Sequence, residues 1–476
     1  MNAFPNALHT AVRADGREGE IARYAARVQS DEIEFLGRMI RGQASLGPNT
    51  PTDISVMLKN NAYGRLCRTI ERRGQEFYWT LTRLLGLGHL HDGNRATPQR
   101  VAERKEWRDN VSSSIERPRI FIDATRTHVS NLHTGMQRVV RNICDYALRT
   151  GEAMPFVLED RTLKPLYRGP WPDRIELRGD DIVLLLDMPL LDDIATILST
   201  ARAADARVVC AIYDLIPLFF PGLCAPHFPD YFREITDRLL SNVDGVVAIS
   251  RTVAMDVKRY APGLSGGGRD PRIGWNHLGA DFAPVTFEDD RMPVPAKRFF
   301  LGVGTLEPRK AWDVAIDAME SLWASGGQES LVLVGRYGWN CIALRNRIET
   351  HRESGRRLFW IEDMDDARLA ALYRAAIALV YPSVVEGFGL PLVEAKHYGT
   401  PVIASDIPVF REIAGDGIDY FRSLDAQDLA RHMIEAALTR PRTPQFPTLD
   451  WATASEGFLD VVRCVAFDRP HERRIA

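Results

Sequence analysis

Several things are scarce in this 476-residue sequence, and each absence narrows the reading. No run of about 18 apolar residues passes without a charge, so no segment has the composition of a membrane-spanning helix. The opening residues, MNAFPNALHTAVRADGREGE, lack the basic region and apolar run of a secretory leader, and the expected location is cytoplasmic. Cysteine is sparse. The six (Cys67, Cys144, Cys210, Cys224, Cys341, Cys464) have neither metal-like nor redox-pair spacing and are expected as reduced, mostly buried thiols. Charge of either sign is not in excess, since 60 Lys and Arg face 63 Asp and Glu for a formal net charge of −3, which argues against a general nucleic-acid partner. Acidic and histidine clusters with metal spacing are also missing. Asp363-Met364-Asp365 spells Asp-x-Asp, but a helical pattern follows it, so Asp365 or Asp366 is expected as an N-cap. Neither metal nor cofactor is expected.

What remains is an ordinary globular composition, 45% hydrophobic and 26% charged, with length for two or three domains. Residues 1–117 differ from the rest. Residues 15–42 and 62–85 have helix-like apolar spacing with many arginines, joined by a Gly, Pro, Asn and Thr-rich loop, and read as a helical extension and linker. Residues 55–90 combine Lys59, Arg65, Arg68, Arg72 and Arg73 with Phe77, Tyr78 and Trp79. Three readings stand open for that mix: packing on the main body, peripheral contact with the inner face of an anionic membrane, and self-association into a homo-oligomer.

From residue 119 the texture becomes alternating strands and helices. Apolar runs at 119–124, 181–187, 207–214 and 244–250 read as strands, and Val139, Val140, Ile143 and Ala147 mark one helix face. Ser250 and Thr252 are placed to cap the next helix. This first α/β domain spans 118–295. A Pro-rich connection, RMPVPAKR, leads into a second at 296–445, with strands at 299–304, 331–335, 358–362 and 376–381. Residues 446–476 read as a helix packing back on the body through Ser455, Phe458, Val461 and Val462.

The most informative stretch is 381–401, YPSVVEGFGLPLVEAKHYGTP. It reads as a strand end, a loop holding Glu386, a short helix holding Glu394 in its first turn, and a stop at Gly399 and Pro401; Pro391 suits the first helical position. Such a unit puts its loop at the carboxyl edge of a parallel sheet, where open α/β folds bind ligands. Earlier, GVGTLEPRK places Gly304, Thr305, Arg309 and Lys310 in a loop before another helix, and HTGMQRVVRNI places Thr134 and Gly135 before a third.

EGFGLPLVEA, with its Glu-x7-Glu pair, GVGTLEPRK and HTGMQRVVRNI together resemble the GT-B glycosyltransferases, specifically the large retaining family four, over residues 119–465. The resemblance implies two facing Rossmann-like doubly wound domains, the first for acceptor and the second for a nucleotide sugar. It implies diphosphate contacts from Arg309 and Lys310, ribose contacts from Glu394, and donor-sugar contacts from Glu386. Backbone N–H groups of Gly387, Phe388, Gly389 and Leu390 would add donors to the phosphates, and Gly135 would let the opposite backbone approach. Thr305 stands where many relatives carry arginine. Tyr213-Asp214 stands where many carry His-Asp, so either the Tyr213 hydroxyl or Asp214 would take over that role. His128, His133, His227 and His277 are more simply packing or surface residues. The implied reaction is retaining transfer from a nucleotide diphosphate sugar, GDP-mannose first, to a glycan or lipid-linked glycan of a surface polysaccharide. UDP-hexoses, GDP-fucose and dTDP-rhamnose are alternative donors. A nucleotide-sugar epimerase, a phosphorylase and a non-catalytic glycan-binding scaffold share the fold class.

Overall fold

The structure, a computed structural model, describes residues 17–40, 118–130, 135–166, 174–226, 228–263, 270–281, 298–362, 364–439, 443–469 and 474–475. The expected helix at 62–85, the 55–90 surface, the linker after it and the 282–297 connection lie outside them, as do Cys67, His133, Thr134, His227 and Asp363. Among the described residues, no helix is long and apolar enough to cross a membrane.

Two compact units are present. The first comprises Met1–Asp92, Ile216–Tyr231 and Phe282–Phe446; the second comprises Gly93–Leu215, Phe232–Asp281 and Pro447–Ala476. The helix Glu18–Ile40 therefore belongs to the first unit, as does Ile216–Tyr231, a piece from the middle of the 118–295 span.

The second unit holds β1 (Ile120–Asp123), β2 (Met154–Glu159), β3 (Thr162–Pro165), β4 (Ile182–Leu185), β5 (Arg207–Ile212), β6 (Gly245–Ala248) and β7 (Arg272–Trp275). The first holds β8 (Phe299–Val303), β9 (Ser330–Val334), β10 (Leu358–Ile361), β11 (Leu379–Tyr381), β12 (Val402–Ser405) and β13 (Asp419–Phe421), and β14 (Arg474–Ile475) returns to the second unit. In the second unit the order is β14-β7-β6-β5-β4-β1-β2-β3, with only the edge strands β3 and β14 antiparallel. In the first it is β10-β9-β8-β11-β12-β13, parallel throughout. Parallel strands need crossover helices, which cover both sheet faces, so central strands such as β4, β9 and β12 are buried at every position and read as mostly apolar runs.

Strand order fixes where ligands fit. In the first unit β8 lies between β9 and β11, so the connections leaving β8 and β11 diverge and open a crevice at their carboxyl ends. In the second unit the same divergence falls between β1 and β4. The core of the first unit runs through Phe300, Trp312, Met319, Leu333, Val380 and Met433, and takes in Ile21, Tyr24 and Ala25 from the Glu18–Ile40 helix. In the second unit the helix Trp451–Phe467 packs on β6, β7 and the helix Gly135–Thr150, burying Ser455, Phe458, Val461 and Val462. Asn276 Nδ2 donates to Ala454 O at 2.9 Å and holds that helix in place.

Several elements carry little periodic signal and emerge only from the fold. They include the β2–β3 hairpin, β7, β13 and the helices Ile342–Thr350 and Pro408–Ala414.

Candidate active site

After β8 the backbone turns at Gly304, whose φ is +151°, and a Cβ there would sit 3.1 Å from Lys310 Cε. Only glycine supplies both the conformation and the space for the lysine. The loop then forms a single 3₁₀ turn, Pro308–Lys310, and Ala311, at φ +50°, passes it into the helix Trp312–Ala324. Trp312 Nε1 donates back to Thr305 O at 3.1 Å. After β11, Ser383 and Glu386 occupy the neighbouring loop, and Val384 N–H donates to Arg309 O at 2.9 Å, so the two loops are joined through their backbones.

This junction gathers charges. Lys310 Nζ donates to Glu386 Oε1 at 2.5 Å and to the Tyr381 hydroxyl at 3.3 Å. Arg309 pairs with Glu386 Oε2 on one side and, at 2.6 Å, with Glu307 Oε1 on the other. Glu386 Oε1 also accepts from Ser383 Oγ at 2.7 Å and from Tyr381 OH at 3.1 Å. The Lys310 and Glu386 side chains are each only 7% exposed, so two cations and two carboxylates are held largely out of water. Burial alone would raise the Glu386 carboxyl, but Arg309 and Lys310 outweigh it and hold it at about 2. Burial lowers the Lys310 ammonium, and the Glu386 charge only partly restores it. Both values are shifted downward, and the pair sits in a crevice at a strand-order switch, which makes it a candidate site.

The loop continues from Glu386 through the buried Gly387, Phe388 and Gly389. Gly389 has φ +114° and precedes the helix Leu390–Tyr398, which Gly399 ends in the left-handed conformation. Leu390 is thus the first helical residue and Pro391 the second, which moves Glu394 out of the first turn, where the sequence placed it. Glu394 is instead 3% exposed, and its Oε2 accepts from Tyr373 OH at 2.8 Å. Tyr373 is held in turn by Tyr398, ring centroids 5.7 Å apart, and by Thr400 Oγ1 donating to its backbone oxygen at 2.7 Å.

In the second unit Gly135 opens the helix Gly135–Thr150, and Asp214 stands two residues past the end of β5. The Tyr213 hydroxyl donates to Leu186 O at 2.9 Å, and burial pushes it well above the usual phenol range. At the β1–β4 switch lie Asp123 and Asp187, both buried. Burial pushes the Asp123 carboxyl up to about 7 although Thr125 donates to it twice. His128 is exposed, and His277 packs 5.0 Å from the Trp275 ring. Asp365 caps the helix Asp366–Ala375 by accepting from Arg368 N–H at 2.8 Å. Among the described residues, no group of three or more His, Cys, Asp or Glu could hold a metal ion.

Arg309, Lys310, Glu386, Gly304 and Thr305 thus meet in one place, whereas Gly135 and Asp214 lie in the other unit. Sequence reasoning missed Glu307, Tyr381, Ser383, Tyr373, Asp123 and Asp187. The two aspartates had a signal, because the apolar runs at 119–124 and 181–187 each carry one at the carboxyl end.

Two mostly parallel α/β sheets, with this cluster at the switch point of one, make the protein a GT-B fold. Sucrose-phosphate synthase (tll1590) from Thermosynechococcus elongatus shares that fold at a TM-score of 0.51 and 19% identity, over 74% of this chain and 97% of its own. Residues 288–445 match the family described as glycosyl transferases group 1. Over 380 residues it is 30% identical to the serotype-specific mannosyltransferase WbdA of Escherichia coli, covering 73% of this chain and 47% of that one. The O-antigen chain mannosyltransferase RfbU of Salmonella typhimurium is 27% identical over 232 residues, 46% of this chain and 62% of its own. The chain spans about half the length of the WbdA relatives it matches.

Proposed function

We propose that the chain is a retaining, metal-independent hexosyltransferase that moves mannose from GDP-mannose to a hydroxyl of a glycan or lipid-linked glycan in surface-polysaccharide synthesis. The observation that carries the reading is the Arg309, Lys310 and Glu386 cluster at the β8–β11 switch point, inside the segment that matches the family. The choice of mannose rests on the relatives, which are named as mannosyltransferases.

Each group has chemistry suited to its role. As the bond from the sugar's anomeric carbon to the diphosphate breaks, negative charge grows on the leaving oxygen, and Arg309 and Lys310 would stabilise it. The backbone N–H groups from Gly387 to Leu390 would donate to the same phosphates. Glu386, held ionised, would accept from the donor-sugar hydroxyls in place of some of its present partners. Glu394 would accept from the ribose, oriented by Tyr373. The acceptor oxygen would bond to the anomeric carbon on the face that the diphosphate leaves, its proton passing to the departing phosphate oxygen. Because the Tyr213 hydroxyl is engaged by Leu186, the role left open by the missing histidine falls to Asp214. Membrane contact and self-association stay attached to residues 55–90.

A panel of nucleotide sugars tests this reading through slow donor hydrolysis and transfer. Turnover should be fastest with GDP-mannose. Tight GDP binding with no turnover of any donor would point to a scaffold instead.

A further inference from the structure

The Glu18–Ile40 helix lies outside the family segment, yet it and Arg17, the residue just before it, grip the main chain of both loops that build the charged cluster. Tyr24, 6% exposed, places its hydroxyl 2.8 Å from Asp313 Oδ1 and 3.1 Å from Pro308 O. Pro308 opens the turn that carries Arg309 and Lys310, and Asp313 stands in the first turn of the helix that follows. Between them is Ala311, a residue with a Cβ at φ +50°, which lacks any side-chain cap for that helix. A conformation of this kind persists only where its surroundings enforce it. Tyr24 spans the strained junction from one side to the other, and Arg27 fixes the second Asp313 oxygen at 2.7 Å. Seven residues before Tyr24, Arg17, which immediately precedes the helix, donates to Val384 O at 3.3 Å and to Asp406 O at 2.7 Å. Val384 is the residue whose N–H holds Arg309 O, so the grip reaches the Glu386 loop as well. Farther along the helix, Glu32 accepts from the N–H groups of Ile342 and Ala343 at 2.9 and 2.8 Å, capping a helix whose own N-cap residue, Cys341, does not.

We propose that Tyr24 is a positioning residue: by bridging Pro308 O and Asp313 across the strained Ala311 it sets Arg309 and Lys310 against Glu386. The proposal rests on the transferase reading for its catalytic consequence, but the bracing itself is a property of the fold. It also makes the helix Glu18–Ile40 part of the catalytic unit rather than an appendage to it.

The test uses Tyr24→Phe in the full chain, which keeps the ring in the core and removes only the hydroxyl. Hydrogen exchange followed by mass spectrometry should show faster exchange at residues 306–312 and 383–387, with β9 and β12 unchanged. Glu32→Gln, as a control, should loosen only the start of the helix Ile342–Thr350. Unchanged exchange at 306–312 in Tyr24→Phe, or a loosening spread over the whole unit, overturns the brace. In turnover, Tyr24→Phe should lower kcat about tenfold while GDP affinity changes less than about twofold, since one lost hydrogen bond is of that size. In a Lys310→Ala background the same substitution should cost markedly less, because much of its effect runs through Lys310. An equal loss in both backgrounds contradicts the positioning role. If the unsubstituted protein turns over no donor, the transferase reading falls, and the exchange result alone decides the brace.

Discussion

Lys310 keeps its charge where burial opposes it, and that cost is the reason to look for its use. With its pKa lowered chiefly by burial, the ammonium loses its proton at a pH below the ordinary 10.5 of lysine. Turnover should therefore fall on the alkaline side before pH 10.5, and Lys310→Arg, which stays charged, should remove that limb from the kcat profile. A limb that survives in Lys310→Arg belongs to another group. Asp123 works in the opposite sense. Its carboxyl is raised to about 7 by burial, so the folded protein holds a proton that the unfolded chain releases near 3.8, and stability falls as pH rises through that interval. Asp123→Asn should flatten this dependence and raise the melting temperature at pH 8 relative to the unsubstituted protein; an unchanged slope between pH 4 and 7 would contradict it. Arg309, Lys310 and Glu386 were legible as residue types at known spacing. Glu307, Tyr381 and Ser383 were not, because a tyrosine ending an apolar strand reads as core, and a glutamate before Pro-Arg-Lys reads as solvated.

Among the elements, the helix Leu390–Tyr398 shows how far local signals reach. Pro391 and Gly399 announced its start and stop, and the observed ends differ by one residue at most. The register of Glu394 depended on that one residue, which moves it from a dipole-stabilised first turn to a buried hydrogen-bonded position beside Tyr373. Replacing Gly389 by alanine should destabilise the protein by about 2–3 kcal/mol, through the left-handed backbone and overpacking. The added Cβ would lie 2.8 Å from the Phe410 ring. Urea titration measures it, and a change under 1 kcal/mol would show that the loop relaxes cheaply. Glu394→Gln, in turn, should weaken GDP binding about tenfold by calorimetry, the scale of a lost charged hydrogen bond. Unaltered affinity would remove Glu394 from the ribose. The docking of the helix Glu18–Ile40 was beyond sequence reading, because its partners at Pro308 and Asp313 are local to nothing in its own pattern.

For the whole molecule, two features were readable: the alternation of strand and helix, and the GT-B resemblance carried by three short motifs. The composition of the units was not. A unit that recruits residues 18–40 and 216–231 to the sheet of β8–β13 is assembled by contacts across hundreds of positions, which periodicity cannot encode. That assembly gives the central claim a single locus, the charged junction of the β8 and β11 loops. The most direct measurement compares Lys310→Ala with the unsubstituted protein in GDP-mannose turnover and, separately, in GDP affinity, with a thermal melt confirming that both are folded. Loss of an electrostatic contact made chiefly in the transition state should lower kcat about 10²–10³-fold while GDP affinity falls far less. Equal turnover in the two proteins would contradict the account.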